Sequence, residues 1–483
     1  MKPLPLPRAG VAGHLGTALA ALLLSGCATL GPDYQAPAMA VPQAWYAAPP
    51  HSPADGPASI ERWWRQLGDV QLSALVEQAL RANPDLQAAR AAVQASRALE
   101  RVARAGQAPS VGASGATSAS RRGDAAVNES WTAGLDAGWE IDVFGGVRRG
   151  IEAAQADREA ASASLANTHA SLAAEVALNY VTLRTSQARL AIARRNLAAQ
   201  QETLQLTDWR TQAGLASSVD LEQARTNTEQ TRAQIPSLQT AINSAANRLA
   251  VLTGEAPGAL QATLADGGLP ALPTAIAVGI PAEVLRQRPD VQAAERALAA
   301  ETARIGVAEA ARWPGFKLSG SIGLEAATFG ALGNGASVLR TLAAGVSGVL
   351  FDGGALAARV DQQTAVREQR LHSYRSTVLA ALEDVENALT ALDNTARRRE
   401  ALAAASTAAR NANLLAADRY RSGLIDFRTV LETERSLLST EDSLASAEGE
   451  RLTALIQLYK ALGGGWSSAD LSESADTPQG NPS

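Results

Sequence analysis

Few residues in this chain of 483 could do chemistry. The one cysteine, Cys27, follows Leu24-Ser25-Gly26. A single thiol excludes an intramolecular disulfide and a Cys-built zinc site, which leaves covalent modification of that sulfur. The four histidines, His14, His51, His169 and His372, are widely separated and in no ligand spacing, so neither a metal site nor a cofactor is expected. There is no Gly-rich phosphate loop, His-Glu-x-x-His pattern or Gly-x-Ser-x-Gly elbow, and an enzyme reading therefore has nothing to work with. The remaining ionisable chemistry is electrostatic. Asp136, Glu140, Asp142 and Glu325, against Lys317, fall on the polar side of alternating segments, and Arg428 and Glu432 form an i,i+4 pair. With 43 basic and 48 acidic residues the net charge is −5, which argues against nucleic acid as a partner. Apolar residues reach 46 % but aromatics only 4 %, a composition suited to close helix–helix contact rather than a large aromatic pocket.

The elements that must position these groups begin with a compartment signal. Lys2 and Arg8 precede an apolar stretch, Leu15 to Leu24, with small residues just before Cys27. That is the pattern of a secretory signal peptide, residues 1–26, too short to span a bilayer. The Leu-Ser-Gly-Cys ending resembles the bacterial lipobox, whose cysteine is acylated and becomes the first mature residue. The alternative is an incidental thiol behind an ordinary signal. Acyl chains on Cys27 would tether the chain to outer-membrane lipid without spanning it. Residues 27–60, rich in Pro, Ala and Gly, read as a lipid-anchored, extended tether. The uncharged stretch from Gly267 to Ala282 is broken by Pro270, Pro273 and Pro281, so no membrane helix follows. Any crossing of a bilayer must be made by β-strands.

The rest of the chain is written twice. Asn83-Pro84-Asp85-Leu86-Gln87-Ala88-Ala89 recurs as Arg288-Pro289-Asp290-Val291-Gln292-Ala293-Ala294, and Phe144-Gly145-Gly146 as Phe351-Asp352-Gly353-Gly354. Ala213-Gly214-Leu215 recurs as Ser422-Gly423-Leu424. The copies occupy residues 61–254 and 282–465, joined by a Pro-rich linker, 255–281, and followed by a disordered tail, 466–483.

Within each copy the period changes in the same order. A leading helix is expected over about 71–108 and 282–313, with a start or break at Asn83-Pro84-Asp85. Then Trp131, Ala133, Leu135, Ala137, Trp139, Ile141 and Val143 alternate with polar or acidic residues, a period of two. Phe316, Leu318, Ile322 and Leu324 repeat the pattern, and Leu342, Ala344, Val346 and Leu350 mark a fourth strand. A soluble half-buried sheet alternates identically. Trp131 and Trp139 favour membrane strands, because eight residues span about 27 Å, roughly one hydrocarbon thickness once tilted, and they could mark two aromatic girdles. After Gly145-Gly146 and Gly353-Gly354 the period becomes seven: Val176, Leu183, Leu190, Leu197 and Leu204, then Leu371, Val378, Val385 and Leu392. Helices over 147–213 and 355–422 would each run about 100 Å, and return helices over about 217–252 and 426–461 would be half as long, the first kinked at Pro236.

Two strands per copy make four per chain, which cannot close a barrel, and open edges are not tolerated in lipid. The fold class is therefore mainly α with a small transmembrane β-barrel shared between copies of the chain, and the helices, far too long for a bilayer, continue the wall as a tube. A coiled-coil structural envelope lipoprotein would explain Cys27 and the heptads, but not the paired strands bearing tryptophan.

Cys27 with Gly31-Pro32-Asp33-Tyr34, Trp63-Trp64, Leu67-Gly68-Asp69, Val251-Leu252-Thr253-Gly254, Arg288-Pro289-Asp290, Arg304-Ile305-Gly306-Val307-Ala308-Glu309-Ala310 and Leu458-Tyr459-Lys460-Ala461-Leu462-Gly463 resembles the outer-membrane efflux lipoproteins of the TolC/OprM family. The resemblance implies a homotrimer with a shared twelve-stranded barrel and a helical tunnel. It implies a periplasmic adaptor and an inner-membrane resistance–nodulation–division pump as partners, and a passive outer-membrane pore exporting drugs or other small solutes. Type I protein secretion and metal-ion efflux are the alternatives within the same class. It also implies a periplasmic gate past the second tip. Counting from Gly423, Glu432 matches the family's acidic ring, Arg428 stands where an apolar gate residue is found, and Thr429 replaces a second acid. Gly214-Leu215 and Gly423-Leu424 resemble the adaptor-contact tips, and as plain structure they are helix reversals. The lumen face of the strands is expected to carry Asp136, Glu140, Asp142, Lys317 and Glu325.

Overall fold

A computed structural model describes residues 29–47, 60–265, 267–273 and 281–467. The signal segment, Cys27 and positions 468–483 of the expected tail lie outside the described residues.

After a 3-10 segment, Ile60–Leu67, the described elements are α1 (Val70–Ala82), α2 (Pro84–Ala105), β1 (Ser110–Ser120), β2 (Asn128–Ile141), α3 (Gly146–Gln212) and α4 (Ser218–Leu252). The second copy repeats them as α5 (Pro281–Gln287), α6 (Pro289–Ala310), β3 (Gly315–Ala326), β4 (Val338–Ser347), α7 (Ala355–Arg421) and α8 (Phe427–Ala461). The duplication is exact in length where it matters: α2 and α6 have 22 residues, α3 and α7 have 67, and α4 and α8 have 35. Each leading helix is broken in two rather than continuous, because proline lacks an amide donor and forces its predecessor out of the helical region. Asn83, before Pro84, accordingly has an extended backbone (ψ 127°). α4 runs unbroken through Pro236. None of the described helices is long and apolar enough to cross a membrane.

The chain divides into two compact units, and each draws on both sequence copies. The first (Met1–Ala38, Ala92–Ser162 and Ala293–Arg375) contains the sheet, whose order is β1-β2-β3-β4 with every pair antiparallel. In this unit the expected tether is extended but docked. Gly31 (φ 86°) crosses α6 at Gly306, so closely that a Cβ on Gly31 would meet Gly306 Cα at 2.4 Å. Buried Arg149 holds the crossing by donating to the Leu30 carbonyl (3.0 Å), the Gly31 carbonyl (3.1 Å) and the Asp33 carboxylate (2.8 Å). The Tyr34 hydroxyl donates to Glu295 at 3.0 Å, and burial beside that carboxylate raises its pKa.

The second unit comprises Met39–Ala91, Ala163–Gln292 and Ser376–Ser483. Trp63 and Trp64 are essentially inaccessible, and Trp63 stacks on Tyr459 with ring centroids 5.3 Å apart. One hydrogen bond appears twice, once per copy. Asn83 Nδ2 donates to the Leu252 carbonyl at the end of α4 (3.0 Å), and Arg288 Nη1 donates to the Ala461 carbonyl at the end of α8 (3.0 Å). Arg288 is further held by Asp290 (2.7 Å) and Asp384 (2.9 Å). Upstream, Trp45 is buried among Val385, Leu389 and Leu458, while the Tyr46 and Ala47 amides donate to Glu386 (2.8 and 3.1 Å).

The glycine crossing sets a test. A Cβ on Gly306 would lie 2.7 Å from Arg149 Cγ and 2.8 Å from the Leu30 carbonyl oxygen, whereas one on Gly150 meets nothing within 4 Å. Gly306→Val is expected to cost about 1–3 kcal/mol and to speed proteolysis within residues 29–47. Gly150→Ala is expected to be neutral or to gain about 0.5–1 kcal/mol as a helix substitution. Thermal unfolding of the detergent-solubilised protein separates them, and equal responses would remove the role assigned to the crossing.

Candidate functional site

The sheet sorts its side chains by register. One face carries Trp131, Ala133, Leu135, Ala137, Trp139 and Ile141 of β2 opposite Ala326, Leu324, Ile322, Gly320, Leu318 and Phe316 of β3. The other carries Thr132 opposite Glu325, Asp136 opposite Ser321, and Glu140 opposite Lys317. Asp136 accepts a hydrogen bond from Ser114 of β1. Three acids and one base, Asp136, Glu140, Glu325 and Lys317, thus share the polar face. Asp142 is not among them. It lies one residue past β2, and its carboxylate accepts from the Val147 amide (3.1 Å) and the Arg148 amide (2.9 Å), satisfying free donors at the start of α3. Asp352 does the same for α7 through the Gly354 and Leu356 amides (2.8 and 2.7 Å), which holds its carboxyl below the usual range.

Neither face has a core against it: β1 and β4 are exposed along their whole length, as are Leu135, Ile322, Leu342 and Val346. Aromatic side chains gather at both ends. Trp131 packs edge-on against Phe329 (5.4 Å), and at the helix-linked end Phe144 stacks on Trp313 (5.2 Å) near Phe316. The strand midpoints step by about 1.5 residues from each strand to the next, a shear that tilts the strands by about 45° in a closed barrel.

The two turns are built alike. α3 ends in Gly214 (φ 76°), whose amide donates to Thr211 (3.0 Å) while the Leu215 amide reaches back to Arg210 (2.7 Å). α7 ends in Gly423 (φ 72°), with Gly423 donating to Tyr420 (2.9 Å) and Leu424 to Arg419 (2.8 Å). Positive φ requires glycine, and the pair of bonds is a Schellman closure. Leu215 and Leu424 are left exposed. Ser217 and Asp220 then form a reciprocal capping box for α4. Asp426 caps α8, accepting from the Thr429 amide (3.1 Å) and hydroxyl (2.7 Å); the hydroxyl bond is the first cause of its depressed pKa. Thr429, expected at the gate, is thereby committed to the cap.

Beyond the cap, α8 presents two faces. Phe427, Val430 and Leu431 pack with Tyr420, Ala416 and Ala224. Arg428 and Glu432 lie on the other side, paired at 3.1 Å with side chains 80 % and 67 % exposed. So exposed a pair contributes at most about 1 kcal/mol and leaves both groups free to face something else. Arg210, which sequence reasoning missed, donates to the Tyr420 carbonyl (2.7 Å) and lies over its ring (4.3 Å), joining the ends of α3 and α7. Also missed were buried acids at heptad spacing on α8. Glu441 accepts from Asn196 (3.2 Å) and Arg410 (2.6 Å). Glu434 meets neutral donors, the Thr203 hydroxyl (2.7 Å) and Asn227 Nδ2 (3.2 Å), and burial pushes its pKa up. Carboxylates at core positions of a heptad were the available signal.

A four-stranded sheet exposed on both faces and continuous with paired 67-residue helices defines one staving element of a strand-and-helix channel. Residues 75–255 and 280–464 match the family described as outer membrane efflux protein. The chain is 33 % identical to nodulation protein T of Rhizobium leguminosarum bv. trifolii over 86 % of its own length and 89 % of that protein. It is 31 % identical to the antibiotic efflux pump outer membrane protein ArpC of Pseudomonas putida over 96 % of its own length and 99 % of that one. The solved outer-membrane channel OprN superposes with a TM-score of 0.86 at 37 % identity, covering 91 % of this chain and 99 % of that one. The chain belongs to the outer membrane efflux protein family, a family of transport channels rather than enzymes.

Two measurements follow from the helix ends. Ser217→Ala removes one side of the capping box and is expected to cost about 1 kcal/mol of unfolding free energy, read from chemical denaturation. Glu434 binds its proton more tightly folded than unfolded, so its contribution to stability falls as pH rises through the window above the unfolded carboxyl pKa. Glu434→Gln is accordingly expected to flatten the loss of stability between mildly acidic and neutral pH. An unchanged pH profile would refute the assignment.

Proposed function

We propose that three copies of this chain close their four-stranded sheets into one twelve-stranded barrel, forming the outer-membrane exit duct of a tripartite efflux system. The observation that carries this reading is the sheet itself: two exposed faces of opposite polarity, two unpaired edges, and a shear matching transmembrane barrel tilt. Trp131 and Trp139 mark the two interfaces, and Asp136, Glu140, Glu325 and Lys317 line the lumen. Acylation of Cys27 adds a lipid anchor after removal of residues 1–26, and the helices reach into the periplasm.

The tips at Gly214-Leu215 and Gly423-Leu424 contact a periplasmic adaptor, which links the duct to an inner-membrane resistance–nodulation–division pump. The similarity to ArpC, an antibiotic efflux pump outer membrane protein, supports drug-like solutes as cargo. The pore is passive, and the pump supplies the energy. Three Glu432 carboxylates around the three-fold axis form a constriction that repels anions and holds cations. Arg428, paired with Glu432, sets how much of that charge the lumen sees, and Thr429 fixes the helix start behind it.

Planar-bilayer recording tests both levels. The wild-type protein is expected to conduct, and a sealed bilayer would overturn the channel. Glu432→Ala is expected to raise single-channel conductance and solute leak and to lower cation preference. Unchanged single-channel behaviour would sink the gate assignment alone.

A further inference from the structure

The apolar face of the sheet carries one cation. Arg340, the third residue of β4, is in register with Ile322 and through it with Leu135, so it stands on the same face as Trp131, Leu342 and Val346. It is exposed, and its guanidinium has no ion-pair partner among the described residues. A charge there is costly at mid-bilayer, about 2–4 kcal/mol, but nearly free at the interface. Position decides the matter. Arg340 lies about 8 Å along the strand from the β4 midpoint, toward the loop-linked end, which at 45° tilt is about 6 Å above mid-membrane. Trp131 stands about 8 Å above it by the same geometry, so the two share a level within a residue. With a hydrocarbon band about 25 Å tall, an extended arginine side chain reaches the headgroups from that height. Of the acids at this end, Glu325 is on the opposite face, while Asp124 and Glu129, the latter on the Trp131 face, lie beyond Trp131 toward the loop.

We infer that Arg340 is a binding site for the phosphate of an anionic outer-leaflet lipid. The guanidinium forks onto the phosphate oxygens while the apolar face, capped by Trp131, takes the acyl chains. The inference rests on the barrel reading above. Closing the ring also sets β4 beside β1 of the next copy, whose following turn carries Arg121 and Arg122, unpaired among the described residues, at the same end of the sheet. Arg340 is the one basic residue that the strands place on this face, and a free anion would gain nothing from the surrounding apolar rungs.

The full-length protein, reconstituted in phosphatidylcholine nanodiscs with diphosphoryl lipid A, is expected to retain that lipid through delipidating washes, counted by native mass spectrometry. Arg340→Leu, which suits a lipid face, is expected to weaken retention roughly fivefold per site. Dephosphorylated lipid A is expected to be retained no better by wild type than by the variant. Retention independent of Arg340 or of the phosphate would overturn the site. Protection from thermal unfolding by inorganic phosphate in phosphatidylcholine discs, equal to that by the lipid, would assign it to a soluble anion instead. Conductance of the same preparation separates the two levels: if wild type does not conduct, the barrel reading fails; if it conducts without lipid selectivity, only this site fails.

Discussion

The molecule depends on an unmet hydrogen-bonding demand. Four antiparallel strands leave one row of backbone donors and acceptors open on β1 and another on β4, and hydrocarbon offers them no water. Burial within the described residues does not relieve the problem at the edges, because β1 and β4 are exposed along their whole length. In the barrel proposed above, pairing with the next copy meets that demand, and the step of about 1.5 residues per strand already imposes the tilt such a ring requires. Side-chain polarity follows from alternation: tryptophan and leucine share one face and carboxylates the other, which the proposed barrel turns to lipid and to lumen.

Joining strands to helices costs further unsatisfied groups, and the chain meets them with the same device in each copy. Every long helix starts with amides that lack partners, and aspartate, at 142 and at 352, supplies them. Each return helix ends with open carbonyls, and the side chain before a proline, Asn83 or Arg288, reaches one of them. The residue types differ, yet the bond is conserved between copies in geometry. Gly254 and Gly463 stand beside these positions with positive φ, and a Cβ on either would strike the adjoining chain at 2.7 and 3.2 Å. This explains why the Val-Leu-Thr-Gly and Ala-Leu-Gly segments read as paired signatures: they are contact points, not ligands.

Most of the architecture was legible because it is periodic. Alternation gave β2 and β3, heptads gave the 67-residue helices, and Gly-Leu marked both reversals within a residue or two of Gln212 and Arg421. What escaped was set by ends and by distant partners. Asp142 alternates correctly but falls one residue beyond the strand, where the helix start claims it. The stretch from residue 29 looks like loose tether because its partners, Arg149 and Gly306, lie more than a hundred positions away. Glu434 was passed over for the same reason: only tertiary packing with Thr203 and Asn227 shows that it is buried.

Glu432 and Glu434, two residues apart on α8, divide the work of the tip. A helix turns about 100° per residue, so acids separated by two point to widely different directions. Glu434 faces α3 and α4, where two neutral donors hold it without a counter-charge. A buried carboxylate so held resists separation of the three helices only while its donors stay in place, which couples its proton to their packing. Glu432 faces away with Arg428, where an exposed pair exchanges partners at little cost. The inward acid therefore governs whether the helices hold together, and the outward pair governs what charge they present. In the gate proposed above, that division matters, because one residue performing both tasks would tie the charge of the pore to the stability of its wall.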